Sequence, residues 1–325
     1  MATASTSQPP RSRSFADIVR GTLRGAGQVM FMDNAWTGLF IMIGIFWGSY
    51  FADGKPAPMV AWGALVGLVV STLAGYIFES KDDADQGLWG FNGVLVGCAV
   101  FTFLGNTAWA WVAMILGSAM TVIARRAFNG IFAPFKTTSY TFPFIAVSWV
   151  ILLAARLMGQ LPPVGEAQAI FPTEITSPEL SFTFIELVKY WLRGISQVFL
   201  VDSWVTGILF IVGLAICSRW AAAWAMISSA VALFMTISLN ADHVDIVNGL
   251  FGYSPVLTGI ALGCVFYKPN VKVFFYALAG VVFTVFVQAA MYVFLFPVGI
   301  TTLTAPFCVA TWIFMMPMYK LNSKQ

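Results

Sequence analysis

Apolar runs of bilayer-crossing length follow one another along this chain, separated by short polar connections. A spanning helix needs about 20 predominantly apolar residues, and runs of that order fall near 36–52, 58–79, 88–104, 107–124 and 142–158. Five more follow near 204–218, 220–239, 250–267, 271–296 and 305–320. The pattern predicts an all-α integral membrane protein of ten spans. Between the two sets, residues 159–190 carry Leu161-Pro162-Pro163, Pro172 and Pro178 and read as an exposed linker. Residues 1–21 and 321–325 read as tails, the first disordered up to Ser14 because Ser, Thr and Pro dominate it and no apolar core of signal-peptide length is present.

Composition supports this reading. Only 10% of residues are charged, against roughly 25% in a soluble domain, while 59% are apolar and 16% aromatic. So few charges cannot cover a water-facing surface, and lipid must cover the rest. The net charge of +3 is small and no basic run interleaved with aromatics appears, so nucleic acid is not an expected partner. Cys98, Cys217, Cys264 and Cys308 lie inside apolar runs without CxxC spacing. They read as small buried hydrophobes rather than disulfides or metal ligands.

Ten spans put both termini on one side, which the distribution of Lys and Arg tests. Thirteen of the 17 fall on the terminal side and four (Lys55, Arg156, Lys189 and Arg193) on the other. That asymmetry predicts cytoplasmic termini.

The chain also repeats itself. Arg24-Gly25-Ala26-Gly27-Gln28-Val29 recurs as Arg193-Gly194-Ile195-Ser196-Gln197-Val198, and Asp33 and Thr37-Gly38 recur as Asp202 and Thr206-Gly207. Gly87-Leu88-Trp89-Gly90-Phe91-Asn92 recurs as Gly249-Leu250-Phe251-Gly252-Tyr253-Ser254, with Leu95 and Gly97 answered by Leu257 and Gly259. Thr141-Phe142-Pro143-Phe144 recurs as Thr304-Ala305-Pro306-Phe307, and Trp149 as Trp312. Residues 22–158 and 191–320 are therefore two repeats of five spans each. An odd number of spans inverts the second copy, and such inverted repeats place a solute path at their interface near the bilayer midplane.

Each block offers candidate chemistry. The segments around Gln28 and Gln197 are too short and polar to cross alone and read as re-entrant half-helices, which must face protein or a water-filled cavity. Each glutamine amide could line that path, or tie the re-entrant turn to a neighbouring helix. Asp33 and Asp202 read as caps of the following spans. Phe91 with Leu95, and Tyr253 with Leu257, are four apart and share a helix face. Aromatic–aliphatic pairs at that spacing usually build cores, but with Gly87, Gly90, Gly249 and Gly252 allowing close helix approach, one face from each half could form a narrow apolar slot for a flat solute. Thr141 and Thr304 open a span just before X-Pro, where a hydroxyl could cap the helix or contact a solute.

Ionisable residues are scarce inside the spans, which fits passive conduction of a neutral solute rather than ion-coupled transport. No metal, cofactor or catalytic constellation is expected, and the chain does not read as an enzyme. Ammonia conduction through paired pore histidines is disfavoured, because the lone His243 falls in a connection. A channel for water or a short amide, and a purely structural role, are the other readings.

Taken together, the Gln28 and Gln197 blocks, the Gly87-to-Asn92 and Gly249-to-Ser254 blocks and the two Thr-x-Pro-Phe blocks resemble the urea transporter family from about Arg24 to Trp312. The resemblance implies five spans and one re-entrant pore helix per half, a pore in each protomer of a homotrimer, and a location in the plasma (bacterial inner) membrane. It further implies a slot in which planar urea slides between Phe91, Leu95, Tyr253 and Leu257, with Phe31 and Val198 as further walls. Oxygens of Gln28, Thr141, Thr304 and Gln197 would accept the N–H groups of urea, restoring hydrogen bonds whose loss costs several kcal/mol. The chain departs from the family pattern at Gln197, where some bacterial members carry Glu, at Asn34-Ala35 and Ser203-Trp204, and at Ser254-Pro255.

Overall fold

A computed structural model describes residues 13–52, 56–164, 180 and 183–321. The tail to residue 12, most of the proline-bearing linker and the last four residues lie outside the described residues. Among the described residues the chain is helical, with one isolated bridge between Leu104 and Pro163.

In the first half, α1 (Phe15–Gln28), α2 (Ala35–Phe51), α3 (Pro58–Phe78), the short α4 (Lys81–Asp85), α5 (Gly90–Phe103), α6 (Ala108–Phe132) and α7 (Phe142–Ala154) follow in order. The second half runs α8 (Phe184–Ser196), α9 (Trp204–Cys217), α10 (Arg219–Ser238), the short α11 (His243–Val247), α12 (Tyr253–Ile260), α13 (Val271–Leu295) and α14 (Ala305–Met315). A capping box at Ser14, whose hydroxyl accepts from Asp17 N while the Asp17 carboxylate accepts from Ser14 N, starts α1 inside the stretch read as tail.

Four helices, spanning Pro58–Phe78, Ala108–Phe135, Arg219–Ser238 and Val271–Leu295, are long and apolar enough to cross a membrane. The pair Phe184–Phe199 and Trp204–Cys217 passes only together and is bent by 70°. Of the remaining apolar helices, α2 matches the length expected of it, whereas the others are shorter than their runs: α7 ends at Ala154 rather than 158, and α14 at Met315 rather than 320. Both begin at an X-Pro step preceded by a left-handed residue, Tyr140 (φ 49°) and Leu303 (φ 48°). In the opposite direction, α6 outruns its expected end at 124, so that Arg125 and Arg126 sit on the helix and not in a connection.

Much of the outer surface is apolar. Trp36, Ile43, Trp62, Leu116, Phe234, Phe275 and Phe286 are all exposed at 40% or more, a surface that water does not tolerate and acyl chains do. The larger of two buried clusters contains Leu95, Val198, Leu257, Phe144 and Phe307 from both halves; the smaller holds Ala74, Ala84, Trp89 and Val122.

The halves hold each other through paired polar contacts. Thr37 Oγ1 donates to Gly213 O at 2.7 Å, and Thr206 Oγ1 to Gly44 O at 2.8 Å. Trp149 Nε1 donates to Thr301 O at 2.9 Å, and Trp312 Nε1 to Thr138 O at 2.9 Å. Left-handed backbone recurs at matching positions as well, at Phe31 and Leu200 and at Gly87 and Gly249. A Cβ on Gly87 or Gly249 would run into the backbone of Arg24-Gly25 or Arg193-Gly194, so only glycine fits there.

Candidate functional site

The candidate site grows from three junctions in each half: the end of α1 or α8, the start of α5 or α12, and the start of α7 or α14. At the first junction, α1 ends at Gln28 and Phe31 turns left-handed (φ 65°); in the second half Gln197 follows α8 and Leu200 turns (φ 56°). Gln28 Nε2 donates to Gln86 O and Gln197 Nε2 to Asn248 O, each at 2.9 Å. Of the two readings of the glutamines, the tie is the one seen: the amide nitrogen holds the turn to the neighbouring segment, which leaves the amide oxygen with acceptor capacity to spare. The two glutamines do not meet, because each is tied within its own half.

Arginines fix these turns. Arg24 Nη1 donates to Asp85 O at 3.0 Å and its Nε lies 3.2 Å from Asp33 Oδ1. Arg193 Nη1 donates to Val247 O at 3.1 Å and its Nε lies 3.0 Å from Asp202 Oδ1. Asp33 and Asp202 are thus ion-pair partners and not the caps expected of them. The caps are the next residues, Asn34, whose side chain accepts from Trp36 N and Thr37 N, and Ser203, whose hydroxyl accepts from Thr206 N.

The second junction places the apolar candidates. Phe91 and Tyr253 lie in the first turns of α5 and α12 at 7% and 8% exposure, and Leu95 and Leu257 are fully buried one turn on. Gly90 approaches Gly25, and Gly252 approaches Gly194. The glycines of these blocks thus let α5 and α12 close on α1 and α8. Val198 is buried, and Phe31 stacks edge-on against Tyr140, Phe266 and Phe307. All six apolar candidates lie in or against the larger core cluster.

The third junction is the most direct meeting of the two halves. Thr141 Oγ1 and Thr304 Oγ1 are 2.7 Å apart, both nearly fully buried, and Cys308 Sγ lies 3.4 Å from the Thr141 hydroxyl. Neither threonine side chain caps its helix. For α7 that amide is met from elsewhere, since Asn92 Oδ1 accepts from Phe144 N at 3.1 Å. A hydroxyl pair shares one proton and leaves most of its lone pairs open to another donor. A solute presenting N–H groups is the chemistry that fits.

Sequence reasoning named Arg24 and Arg193 as members of a repeated block, and Arg193 also in the charge count, but gave neither a structural role, and gave no role to Asn92, Arg125 or Thr302. Arg125 lays its guanidinium over the Trp89 ring at 4.6 Å and the Phe91 ring at 5.4 Å. Tyr253 Oη and Thr302 Oγ1 are 2.9 Å apart. The signal for the arginines, and for Asn92, was present in the recurrence of their blocks; none marked Arg125 or Thr302. Cys98, Cys264 and Cys308 are buried as expected, whereas Cys217 at the end of α9 is exposed. Among the described residues no His, Cys, Asp or Glu group could hold a metal ion.

Comparison with known proteins agrees with the geometry. Urea transporter 1 of Ovis aries is 29% identical over 312 residues, covering 94% of this chain and 78% of that protein. Urea transporter 1 of Rattus norvegicus is 28% identical over 306 residues, covering 90% of this chain and 75% of its own length. The family described as urea transporter matches residues 19–319, and the chain belongs to it.

Proposed function

We propose that this protein conducts urea passively, down its concentration gradient, across a bacterial plasma membrane. The observation that carries the reading is the buried Thr141–Thr304 hydroxyl pair, one hydroxyl from each half, set among apolar walls. Urea loses its water shell in such a place, and hydroxyl and amide oxygens return the hydrogen bonds step by step. Phe91, Leu95, Tyr253 and Leu257, flanked by Phe31 and Val198, admit a flat molecule edge-on, and Gln28 and Gln197 supply acceptors on either side of the threonines.

The architecture that suits this function is ten spans in two inverted repeats, 22–158 and 191–320, each with one re-entrant pore helix. The reciprocal Thr37–Gly213 and Thr206–Gly44 bonds, the reciprocal tryptophan bonds and the recurring left-handed turns support it. The 70° bend between Phe184–Phe199 and Trp204–Cys217 supports the re-entrant reading of the second pore helix. Cytoplasmic termini follow from the excess of Lys and Arg on that side, and the homotrimer from the family resemblance.

Stopped-flow light scattering of proteoliposomes under a urea gradient, with no ion or proton gradient, tests the proposal. Fast urea influx with slow glycerol influx is the expected result; urea rates equal to those of protein-free liposomes would refute it.

A further inference from the structure

Beside the slot, on the Tyr253 side, lies a cavity of about 40 Å³ lined by Asp245, Leu250, Tyr253, Gln288, Tyr292 and Thr302 among others. A single water needs only roughly 10–15 Å³ by that measure. Asp245, on the short helix α11 outside the spans, is 8% exposed, and among the described residues no Lys, Arg or His lies within ion-pair distance of it. Gln288 is 4% exposed; its Nε2 donates to Leu250 O, while its Oε1 is buried and unpartnered. Asp245, a buried carboxyl without a cation, and Gln288, whose amide oxygen is an orphan, line one small cavity, and an uncompensated acceptor is costly to bury unless a donor visits it.

The opposite mouth is built differently. The residue matching Gln288, 163 positions earlier in the chain, is Arg125, and the residue matching Asp245 is Asp83. Arg125 stacks on Trp89 and Phe91 and feels the charges of Asp83 and Glu79. The carboxylate there has a permanent cation as neighbour. Asp245 has a neutral amide instead.

We propose that this cavity is a docking site for urea ahead of the slot, where the Asp245 carboxylate accepts urea N–H groups, and that protonating Asp245 withdraws this acceptor and slows flux. The inference rests on the urea reading above. Burial, with Asp242 close by, pushes the Asp245 carboxyl up to about 7, so the acceptor is present above that pH and absent below it. The other ionisable groups around it do not replace it. Asp242 caps the same helix by accepting from Asp245 N, His243 lies 3.4 Å from Asn240 Oδ1, Tyr253 is bonded to Thr302, Tyr292 lines the cavity, and Arg193 is paired with Asp202.

The test is urea flux at sub-saturating urea in proteoliposomes, buffered alike on both sides at about pH 8 and about pH 5.5, with protein-free liposomes subtracted at each pH. A charge-assisted hydrogen bond exceeds a neutral one by an amount worth about fivefold in affinity, so wild-type flux should fall by about that factor at the lower pH. Asp245→Asn should sit at the low-pH rate throughout, and Asp245→Glu should keep the pH dependence, which a merely structural role for the carboxyl would not produce. Wild-type flux flat with pH, or an Asp245→Asn protein that retains the wild-type profile, overturns the inference alone. No urea flux above protein-free liposomes at any pH overturns the urea reading and this inference with it.

Discussion

Replacing Thr141 and Thr304 by valine removes the two hydroxyls that meet at 2.7 Å while keeping the shape of each side chain. A neutral hydrogen bond contributes about 1 kcal/mol net. If the proposed path passes this pair, losing one acceptor there should raise the barrier to urea by about that amount, a fivefold slowing, and losing both should slow flux about thirtyfold. Stability should change too: in Thr141→Val the Thr304 hydroxyl loses its partner, an expense of about 1–3 kcal/mol for a buried orphan, whereas in Thr304→Val the Thr141 hydroxyl keeps Cys308 Sγ and the loss should be smaller. Thr141→Ser and Thr304→Ser restore the hydroxyl and should recover most of the rate. The assay is stopped-flow urea influx at equal amounts of reconstituted protein, with thermal unfolding in detergent as the measure of folding. Unchanged urea flux in both folded valine variants would refute the argument and leave the threonines with a purely structural part.

Leu95→Trp should obstruct the slot, since Leu95 is fully buried and has no space beside it for an indole; urea flux near the protein-free rate, in protein that still elutes as a single species, is the expected result. Gly249→Ala forces a Cβ against Gly194 N at φ +72°, and left-handed backbone alone costs a non-glycine residue about 1–2 kcal/mol. Recovery of folded protein and its melting temperature should both fall, whereas Gly130→Ala, where nothing lies nearby, should change neither. Asp245→Asn should raise the melting temperature at about pH 8 but not near pH 4. The carboxyl titrates near 7 when folded against 3.8 ordinarily, so ionising it penalises only the folded state and the penalty grows as pH rises between those values.

The site was legible because the chain states it twice. Gln28 and Gln197, Thr141 and Thr304, and Phe91 and Tyr253 stand out by recurring at matched positions, and each lies at a junction where the helix is broken. Helix limits were less legible. Arg125 and Arg126 suggested a connection, yet long charged side chains are good helix formers, and the guanidinium of Arg125 covers the Trp89 and Phe91 rings instead of seeking water. Asp33 and Asp202 sit where a cap belongs and were assigned as one. Local sequence does not show that Arg24 and Arg193, nine residues earlier, are close enough in space to claim them.

Those two ion pairs bear on why no driving ion is needed. The pore helices of an inverted-repeat transporter point their ends at the midplane, and charges placed there usually bind or relay a coupling ion. Here each arginine is consumed on the spot: its Nε faces an aspartate and its Nη1 binds the last carbonyls of α4 or α11, at Asp85 O and Val247 O. The charge locks the glutamine turn to the helix that precedes the slot and leaves no net charge at the turn. Gln28 and Gln197 are held by bonds to the very next carbonyls, Gln86 O and Asn248 O. Arginine, aspartate and glutamine thus act as one clamp in each half, which spends ionic groups on orienting a neutral acceptor. On the proposed path, clamps of this kind would offer a moving solute hydrogen-bond acceptors and apolar walls, the terms on which a small neutral diamide can cross.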